Sequence, residues 1–390
     1  MTRYAIAILL VACFAPDVPA ADPAPASKDS APAVRAPAPP AKVVTDDNAA
    51  LRYWQAISQM PQLGEEEVGL LSHAMTISPT DEKARALLAR TEGSLRLAVR
   101  ASKMERCAWG LDMELDGPEL LLPHLGKMRD LARYLALRSR VAFAAGNHDA
   151  AIEDAMAMLR MARHAGNDPI VISILVEYAI EGMAVELLAA ESGALTKGRR
   201  EALAVELTTA PPRHPVSAGI RGERMFVPWL RRTIKESPQR VNELLPAADL
   251  AMWAQLRLRG VEPMLKGVES AYDDLELLLN LPESEFEKAN AQFNKKVEES
   301  KNPLVKLLLP AIAATKKSEL RADAKMKMLR AAIAEAAGDD AGKAAAKEIL
   351  GDLAIERKPF DGGVDFICSN RLGPDGKPIQ LRVGKEKKAP

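Results

Sequence analysis

The chain has 390 residues, and its 53 Lys and Arg residues are balanced by 53 Asp and Glu residues. This length is sufficient for one large domain or two modest ones, each with a real hydrophobic core. The zero net charge and the lack of a concentrated basic face exclude the broad positive field by which proteins attract nucleic acid or anionic membranes.

The first twenty residues have the pattern of a secretory signal. An arginine precedes the apolar run 4–15, and small residues at 18–20 form a cleavage site. The pattern predicts cleavage after Ala20 and export to the periplasm or cell envelope. Residues 10–13 also resemble a lipoprotein box, so acylation of Cys13 is the alternative. The run is too short for a stable membrane anchor, and no later segment predicts a transmembrane helix.

Residues 21–44 are rich in Ala and Pro. This composition cannot bury a core, and it favours an extended tether or a passive leader. After it, the sequence predicts a helical array over 45–300, a long helix followed by a β-hairpin over 301–384, and a basic, solvated tail at 385–390.

Helical periodicity starts after Asp46 and Asp47, which are good N-capping residues. The breaks between helices contain Gly, Pro, Asn or Asp. The predicted helices are 48–60, 65–77, 81–103, 118–145, 148–165, 168–191, 196–208, 216–236, 239–257, 262–280, 283–300 and 303–337.

Residues 131–163 resemble one tetratricopeptide unit, a pair of helices with small residues at their crossing. Gly146 and Asn147 supply the turn between the two helices. The same period is not clearly repeated three times along the chain. The predicted fold is therefore mainly α: an irregular array of helical hairpins that is tetratricopeptide-like in part, with a small C-terminal β-hairpin.

The β-hairpin is predicted from alternating apolar residues in two short runs, separated by the turn sequence LGPDGKP. The apolar positions of the first run are Val364, Phe366 and Cys368. Those of the second run are Ile379, Leu381 and Val383.

Several stretches together resemble a family of exported bacterial α-helical proteins of uncharacterised function. They are CAWGLD, GPELLLPHLGKMRDLARYLALRSR, AGNHDAAIEDAMAMLRMARH and NPLVKLLLPAIA, and the first is the most distinctive. The resemblance covers most of the chain after residue 44. It implies an exported helical domain, and it implies no activity.

The stretch CAWGLDMELDG alternates apolar residues with three carboxylates, which predicts an extended segment with one acidic face. Helical geometry places Arg138 at the edge of the buried face of the next helix, where its charge needs an acceptor. We therefore predict a structural clasp in which these carboxylates hold Arg138. Its members are Cys107, Trp109, Asp112, Glu114, Asp116, His124 and Arg138.

Other chemistry for the same residues stays open. A metal could recruit Cys107, Asp112, Glu114 and His124, although their spacing matches no known ligand pattern. In an oxidising compartment Cys107 could pair with Cys368, or both could be buried thiols. No cofactor is predicted, because the sequence lacks HExxH, CxxC-pair, EF-hand, GxSxG, Walker and GxGxxG motifs.

A second stretch, 219–232, combines arginine with aromatic residues, as interface hot spots do. It predicts either an interaction surface or an ordinary amphipathic helix packed into the array. The residues concerned are Glu223, Arg224, Phe226 and Trp229. The leading functional hypothesis is an exported helical scaffold that binds a protein or peptide partner. The alternative is an exported hydrolase or metal-dependent enzyme with a site around Asp112, Glu114 and His124.

Overall fold

The structure, a computed structural model, describes residues 47–117, 120–168, 170–245, 247–258, 260–309 and 313–386. The predicted signal segment with Cys13 and the Ala/Pro-rich leader lie outside these residues. The described chain is mainly α-helical, with a small antiparallel sheet near its end. This confirms the predicted fold class.

Several helices in the first part of the chain start with a side-chain cap. Asn48 accepts a hydrogen bond from the Ala50 amide at 3.2 Å, and Asp81 accepts one from the Ala84 amide at 2.9 Å. Such caps satisfy amides that have no partner within the helix. The helices of this part are α1 (Ala49–Ser58), α2 (Glu65–Ser72), α3 (Glu82–Ser102), α4 (Met113–Asp116), α5 (Pro123–Ala144), α6 (His148–Gly166), α7 (Val171–Glu191) and α8 (Lys197–Thr209).

A tight turn joins α5 to α6, as the sequence predicts. Gly146 has a φ of 76°, which glycine adopts without the steric cost that a Cβ brings. Asn147 then caps α6 by accepting a hydrogen bond from the Ala150 amide at 3.3 Å. The helices α5, α6 and α7 pack successively on one another, so the predicted helical hairpin continues into a third helix.

The middle of the chain contains more breaks than periodicity predicts. The predicted helix 216–236 divides near Arg224, because Pro228 has no N–H with which to continue a hydrogen-bonded helix from the preceding turn. The predicted helix 239–257 also divides. The helices here are α9 (Val216–Glu223), α10 (Phe226–Glu236), α11 (Pro238–Leu244), α12 (Ala247–Leu258), α13 (Glu262–Leu279), α14 (Glu283–Glu298) and α15 (Pro303–Leu308).

The predicted long helix 303–337 is likewise divided. Leu309 precedes a proline in the sequence and is extended, with φ −85° and ψ 115°, as residues before proline tend to be. The remaining elements are α16 (Ala313–Glu335), α17 (Asp340–Leu350), β1 (Ile355–Phe360), β2 (Gly363–Leu372) and β3 (Pro378–Gly384).

The C-terminal sheet contains the predicted hairpin and an additional strand. The strands β2 and β3 pair antiparallel, and the register places Phe366 opposite Leu381 and Cys368 opposite Ile379. These four side chains are buried. The strand β1 pairs with the other edge of β2. Its sequence, IERKPF, does not predict a strand, because the polar and proline residues of an exposed edge strand show no apolar alternation.

Two hydrophobic cores lie side by side. The larger is built from α1–α3 and α5–α8 together with α16, α17 and the sheet. The smaller is built from α9–α15. The helices α7 and α16 contribute buried residues to both cores, and α16 also packs on the sheet. The sheet and α16 therefore share a core with α1–α3 and α5–α8, across the predicted boundary at residue 300.

Candidate functional site

The segment that links α3 to α4 is held by side chains that bind its backbone. The Asn48 side chain accepts a hydrogen bond from the Ala108 amide and donates one to the Ala108 carbonyl, both at 2.8 Å. Asn167 donates to the Cys107 carbonyl at 3.0 Å, and Asp168 accepts from the Trp109 amide at 3.0 Å. These bonds fasten the segment to the start of α1 and the end of α6.

Trp109 is the centre of an aromatic cluster between these elements. Its ring stacks on Tyr53 at 5.8 Å and on His124 at 4.4 Å, and it meets Trp54 edge to face at 6.1 Å. Its Nε1 donates a hydrogen bond to the His164 carbonyl at 2.8 Å. We call these five residues, Tyr53, Trp54, Trp109, His124 and His164, the aromatic joint. Stacked and edge-to-face rings stabilise a fold beyond the area that they bury.

Burial favours the neutral forms of the titratable rings in the aromatic joint and of the neighbouring Cys107 thiol. Burial lowers the pKa of His124 and that of His164 to about 4. The Tyr53 hydroxyl lies 2.8 Å from His164 Nδ1. Burial, together with the nearby Asp168, raises the pKa of the Cys107 thiol to about 12. A thiol with so high a pKa is protonated near neutral pH and is therefore a poor nucleophile.

His124→Phe is expected to leave stability at pH 7 unchanged or raise it slightly. The His124 ring is 1% exposed, and its Nε2 has no hydrogen-bond partner in the described chain. Phenylalanine keeps the stacking on Trp109 and removes a buried polar atom, whose desolvation costs about 1–3 kcal/mol. Urea unfolding of the two proteins at pH 7 measures the difference. A large loss of stability would contradict the prediction and show that the imidazole stabilises the fold.

The same variant is expected to resist acid better than the parent chain. The pKa of His124 is about 4 when folded, against about 6.5 when unfolded. The neutral ring therefore contributes stability that is present above pH ~6.5 and is lost as the pH falls towards 4. Melting temperatures between pH 7 and pH 4 should fall less steeply for His124→Phe. His73→Phe, at an exposed position, is the control and should follow the parent.

The predicted acidic face is not formed. Residues 113–116 are the short helix α4 instead of an extended segment, and Asp112 is its N-cap, accepting a hydrogen bond from the Leu115 amide at 2.8 Å. The side chains of Asp112, Glu114 and Asp116 are exposed. A capping aspartate favours a helical turn locally, and this outweighs the alternating pattern that predicted a strand.

The predicted partner of Arg138 is also wrong. Arg138 binds Asp154 of α6 through two hydrogen bonds, at 2.9 and 2.6 Å, and a third bond reaches Glu92 of α3 at 3.2 Å. Arg138 does need an acceptor, as predicted, but the neighbouring helix of the hairpin supplies it. The clasp residues Cys107, Trp109 and His124 are therefore gathered by aromatic packing and backbone hydrogen bonds, and Arg138 lies in a separate ion pair.

A buried ion cluster that the sequence analysis missed joins α6 and α7 to the segment before α9. Arg163 lies 2.8 Å from Glu177 and 2.5 Å from Glu181. Arg213 donates to Glu181 at 3.0 and 2.5 Å, and His214 Nδ1 lies 2.8 Å from Glu177. The two glutamates are spaced i, i+4 on α7, so they share one face of the helix. Two carboxylates on a largely apolar helix, together with the basic pair Arg213-His214 later in the chain, are the sequence features that could have predicted this cluster.

The buried ion cluster is closely packed and balanced in charge. The side chains of Glu177 and Glu181 are 0% and 1% exposed, and the two arginines neutralise them. Gly166 makes room for the cluster, because a Cβ at this position would overlap the Glu177 carboxylate. Arg163 also donates to the Pro211 carbonyl at 2.9 Å. The cluster therefore fixes residues 211–214 across α6 and α7.

The four residues of the second predicted stretch are not exposed together on one surface. Trp229 is 2% exposed and belongs to the smaller core. Glu223 accepts a hydrogen bond from the Val171 amide at 3.2 Å, and burial raises its pKa to about 7. Phe226 is partly buried, and the exposed Arg224 pairs with Asp273. The amphipathic-helix alternative therefore describes Phe226 and Trp229, because the apolar face of α10 packs inward, whereas Glu223 and Arg224 lie at the end of α9.

The remaining predictions about sites concern cysteines, metals and membranes. Cys107 and Cys368 are both free and buried, so they do not pair in this structure. In the described ranges no three His, Cys, Asp or Glu side chains are grouped so that they could hold a metal ion. None of the described helices has the length and apolarity that crossing a bilayer requires.

Comparisons with known protein families, with curated proteins and with solved structures find no match to this chain. The resemblance to exported helical proteins therefore stays a prediction from the sequence.

Proposed function

We propose that this protein is an exported α-helical scaffold of the cell envelope that binds a protein or peptide partner. The observation that supports the proposal is an exposed aromatic surface on the aromatic joint. Trp54 is 37% exposed and meets the partly exposed Trp109 edge to face. Leu51, which is 45% exposed, precedes Trp54 by three residues and so shares its face of α1. We call Leu51, Trp54 and Trp109 the indole surface.

Two physical features suit the indole surface to binding. Tryptophan is enriched among the residues that contribute most to protein interfaces. The surface is also held in place, because Trp109 is fixed through both its amide and its indole nitrogen to residues of the α6 end. Little side-chain entropy then remains to be lost when a partner binds.

The enzyme alternative lacks an assembled site among the described residues. His124 is buried beneath Trp109, whereas Asp112 and Glu114 are exposed. Glu177 and His214 form a carboxylate–histidine pair of the kind that orients a general base in hydrolases. Arg163 already neutralises Glu177, however, and the pair lies in a cluster that fastens chain segments together.

Partner binding is testable with a photo-reactive phenylalanine derivative placed at Leu51 or, as control, at Leu258, which is 90% exposed and lies on α12. In an envelope extract of the native host, the Leu51 probe should give a discrete adduct that is weakened by Trp54→Ala. The Leu258 probe should not give this adduct. Identical adducts from both positions, or none from Leu51, would contradict the proposal.

Export predicts a mature chain that starts at or near Ala21, since the cleavage pattern ends at Ala20. Mass spectrometry of the N-terminal peptide from envelope and cytoplasmic fractions measures it. A chain that retains Met1 in the native host would contradict export, and a diacylglyceryl group on Cys13 would show lipoprotein processing instead.

A further inference from the structure

We propose that the chain's own Ala/Pro-rich leader docks on the indole surface, and that an external partner must displace it. The inference rests on the proposed function, because it names the resident occupant of the same surface. The segment concerned is 31–44, APAVRAPAPPAKVV. Its position in the chain, its composition and its charge each support the assignment.

The position of the leader places it beside the surface. The described chain starts at Asp47, and the next residue, Asn48, clamps Ala108 through two hydrogen bonds. Trp109 follows Ala108 directly. Trp54 lies six residues after Asn48 on α1, which is about 9 Å along a helix axis. The leader therefore joins the fold next to both indoles.

The length of the leader permits the contact. The backbone of Asn48 runs parallel to that of Arg106, so a docked leader must reverse direction before it reaches the indoles. Pro40 lies eight residues before Asn48, and eight extended residues span about 25 Å. A reversal needs only about four residues. Attachment to the same chain also supplies an effective concentration of about 1 mM, so a weak contact is sufficient.

The composition of the leader suits an aromatic surface. Pro37 and Pro40 have the PxxP spacing, with Pro39 between them. Such segments favour the polyproline II conformation and dock on grooves lined by aromatic rings. Proline-rich binding also loses little conformational entropy, because the φ angle is already restricted.

Charge complementarity favours this occupant further. Residues 31–44 contain Arg35 and Lys42 and no carboxylate. The exposed Asp112, Glu114 and Asp116 lie three to seven residues beyond Trp109, on and beside α4. Opposite charges at the rim of an interface orient the partner and exclude unsuitable ones. We infer that this acidic stretch, which does not hold Arg138 and packs against α10, is where the two cations of the leader are held.

The contact can be measured by ¹⁹F NMR on the full chain containing 5-fluorotryptophan and a nitroxide at Ala38→Cys. The protein has four tryptophans. Trp253 is buried in the smaller core and serves as the internal reference, whereas the buried Trp229 lies against Gly117, next to the acidic stretch, and is not used as one. Cys107 and Cys368 are buried, and Cys13 is replaced by Ser in every variant. The nitroxide should severely reduce the peak heights of Trp54 and Trp109 and largely spare that of Trp253.

Two matched variants test the cause of the broadening. Moving the nitroxide to Asp22, at the far end of the leader, should largely restore both signals. The pair Arg35→Glu and Lys42→Glu should also restore them, because repulsion from the acidic stretch 112–116 then opposes docking. Equal broadening of all four signals, or no broadening of Trp54 and Trp109, overturns the proposal. A mixing experiment completes the test: a chain with fluorotryptophan but no nitroxide is mixed with a chain that has the nitroxide but no fluorine. Broadening of Trp54 and Trp109 in this mixture overturns the proposal too, because the occupant is then the leader of a second copy.

Failure of this inference is distinguishable from failure of the proposed function. If the leader causes no broadening while the Leu51 probe still captures a partner, the leader assignment is wrong and the scaffold function stands. If the leader docks and the Leu51 probe captures nothing even from the Arg35→Glu, Lys42→Glu variant, the surface binds the leader alone and the partner-binding proposal is wrong.

Discussion

Replacing Arg163 with Met, which removes the cation shared by two buried glutamates, is expected to lower the free energy of unfolding by about 3–5 kcal/mol. Glu177 and Glu181 are almost fully inaccessible to solvent, and each loses one of its charged partners in the variant. The balanced buried ion cluster is left with an excess negative charge that water cannot solvate. Urea unfolding at pH 7, followed by circular dichroism, measures the loss.

Arg231→Met is the matched control for Arg163→Met. Arg231 also pairs with two glutamates, Glu262 and Glu269, but its side chain is 43% exposed. Exposed pairs contribute at most about 1 kcal/mol, because water and salt screen their attraction. If the two variants lose the same free energy, burial is not what makes the Arg163 pairs important. A small loss for Arg163→Met would show that the cluster tolerates an unbalanced charge.

Trp229→Ala is expected to cost about 3–5 kcal/mol of unfolding free energy, as large core truncations do. Trp229 is almost fully buried in the smaller core and lies against Gly117 at the end of α4. The truncation removes a large apolar contact and leaves a cavity between α10 and the segment that follows the acidic stretch. Chemical unfolding measures the cost, and the exposed Leu258→Ala on α12 is the control that should change little.

The contact between Trp229 and Gly117 can be isolated by a double-mutant cycle. Gly117→Ala should be destabilising by about 1–3 kcal/mol, since Gly117 has a φ of 60° and an added Cβ would overlap the indole. In the Trp229→Ala background the overlap is absent, so only the cost of the left-handed backbone remains. The two substitutions should therefore be less destabilising together than the sum of their separate effects. Additive costs would mean that the two residues are not in contact.

Local sequence patterns predicted those helices and strands that have an apolar repeat or a capping residue. Asn147 and Gly146 predict the turn between α5 and α6, and the alternation around Phe366 predicts β2. The strand β1 was not predicted, because an edge strand buries little and its sequence need not alternate. The sequence predicted an extended segment where α4 lies, because four residues are too few to distinguish the helical period of about 3.6 from the strand period of about 2. The hydrogen bond that Asp112 accepts as N-cap favours the helix.

The sequence predicted only some of the residues of the aromatic joint, because local patterns do not show which distant residues meet. The sequence showed that Cys107, Trp109 and His124 are unusual residues near a break between helices, and all three lie at one junction of the fold. Tyr53 and His164 complete that junction from α1 and α6, and no spacing along the chain links them to Trp109. Trp54 carried no signal at all, because its importance comes from being exposed beside Trp109.

The sequence by itself determined that the fold is helical, where most helices start, and that Arg138 lies close enough to a buried face to need an acceptor; it left Trp229 open between a surface and a core position. Only the tertiary structure decided which partners they have: Asp154 and Glu92 for Arg138, and the Gly117 backbone for Trp229. Periodicity specifies which face of a helix is buried, but it contains no information on which element covers that face. Pairings between distant residues, such as Arg163 with Glu177 and Trp54 with Trp109, follow from how the helices pack, because packing is where burial, charge balance and shape are satisfied together.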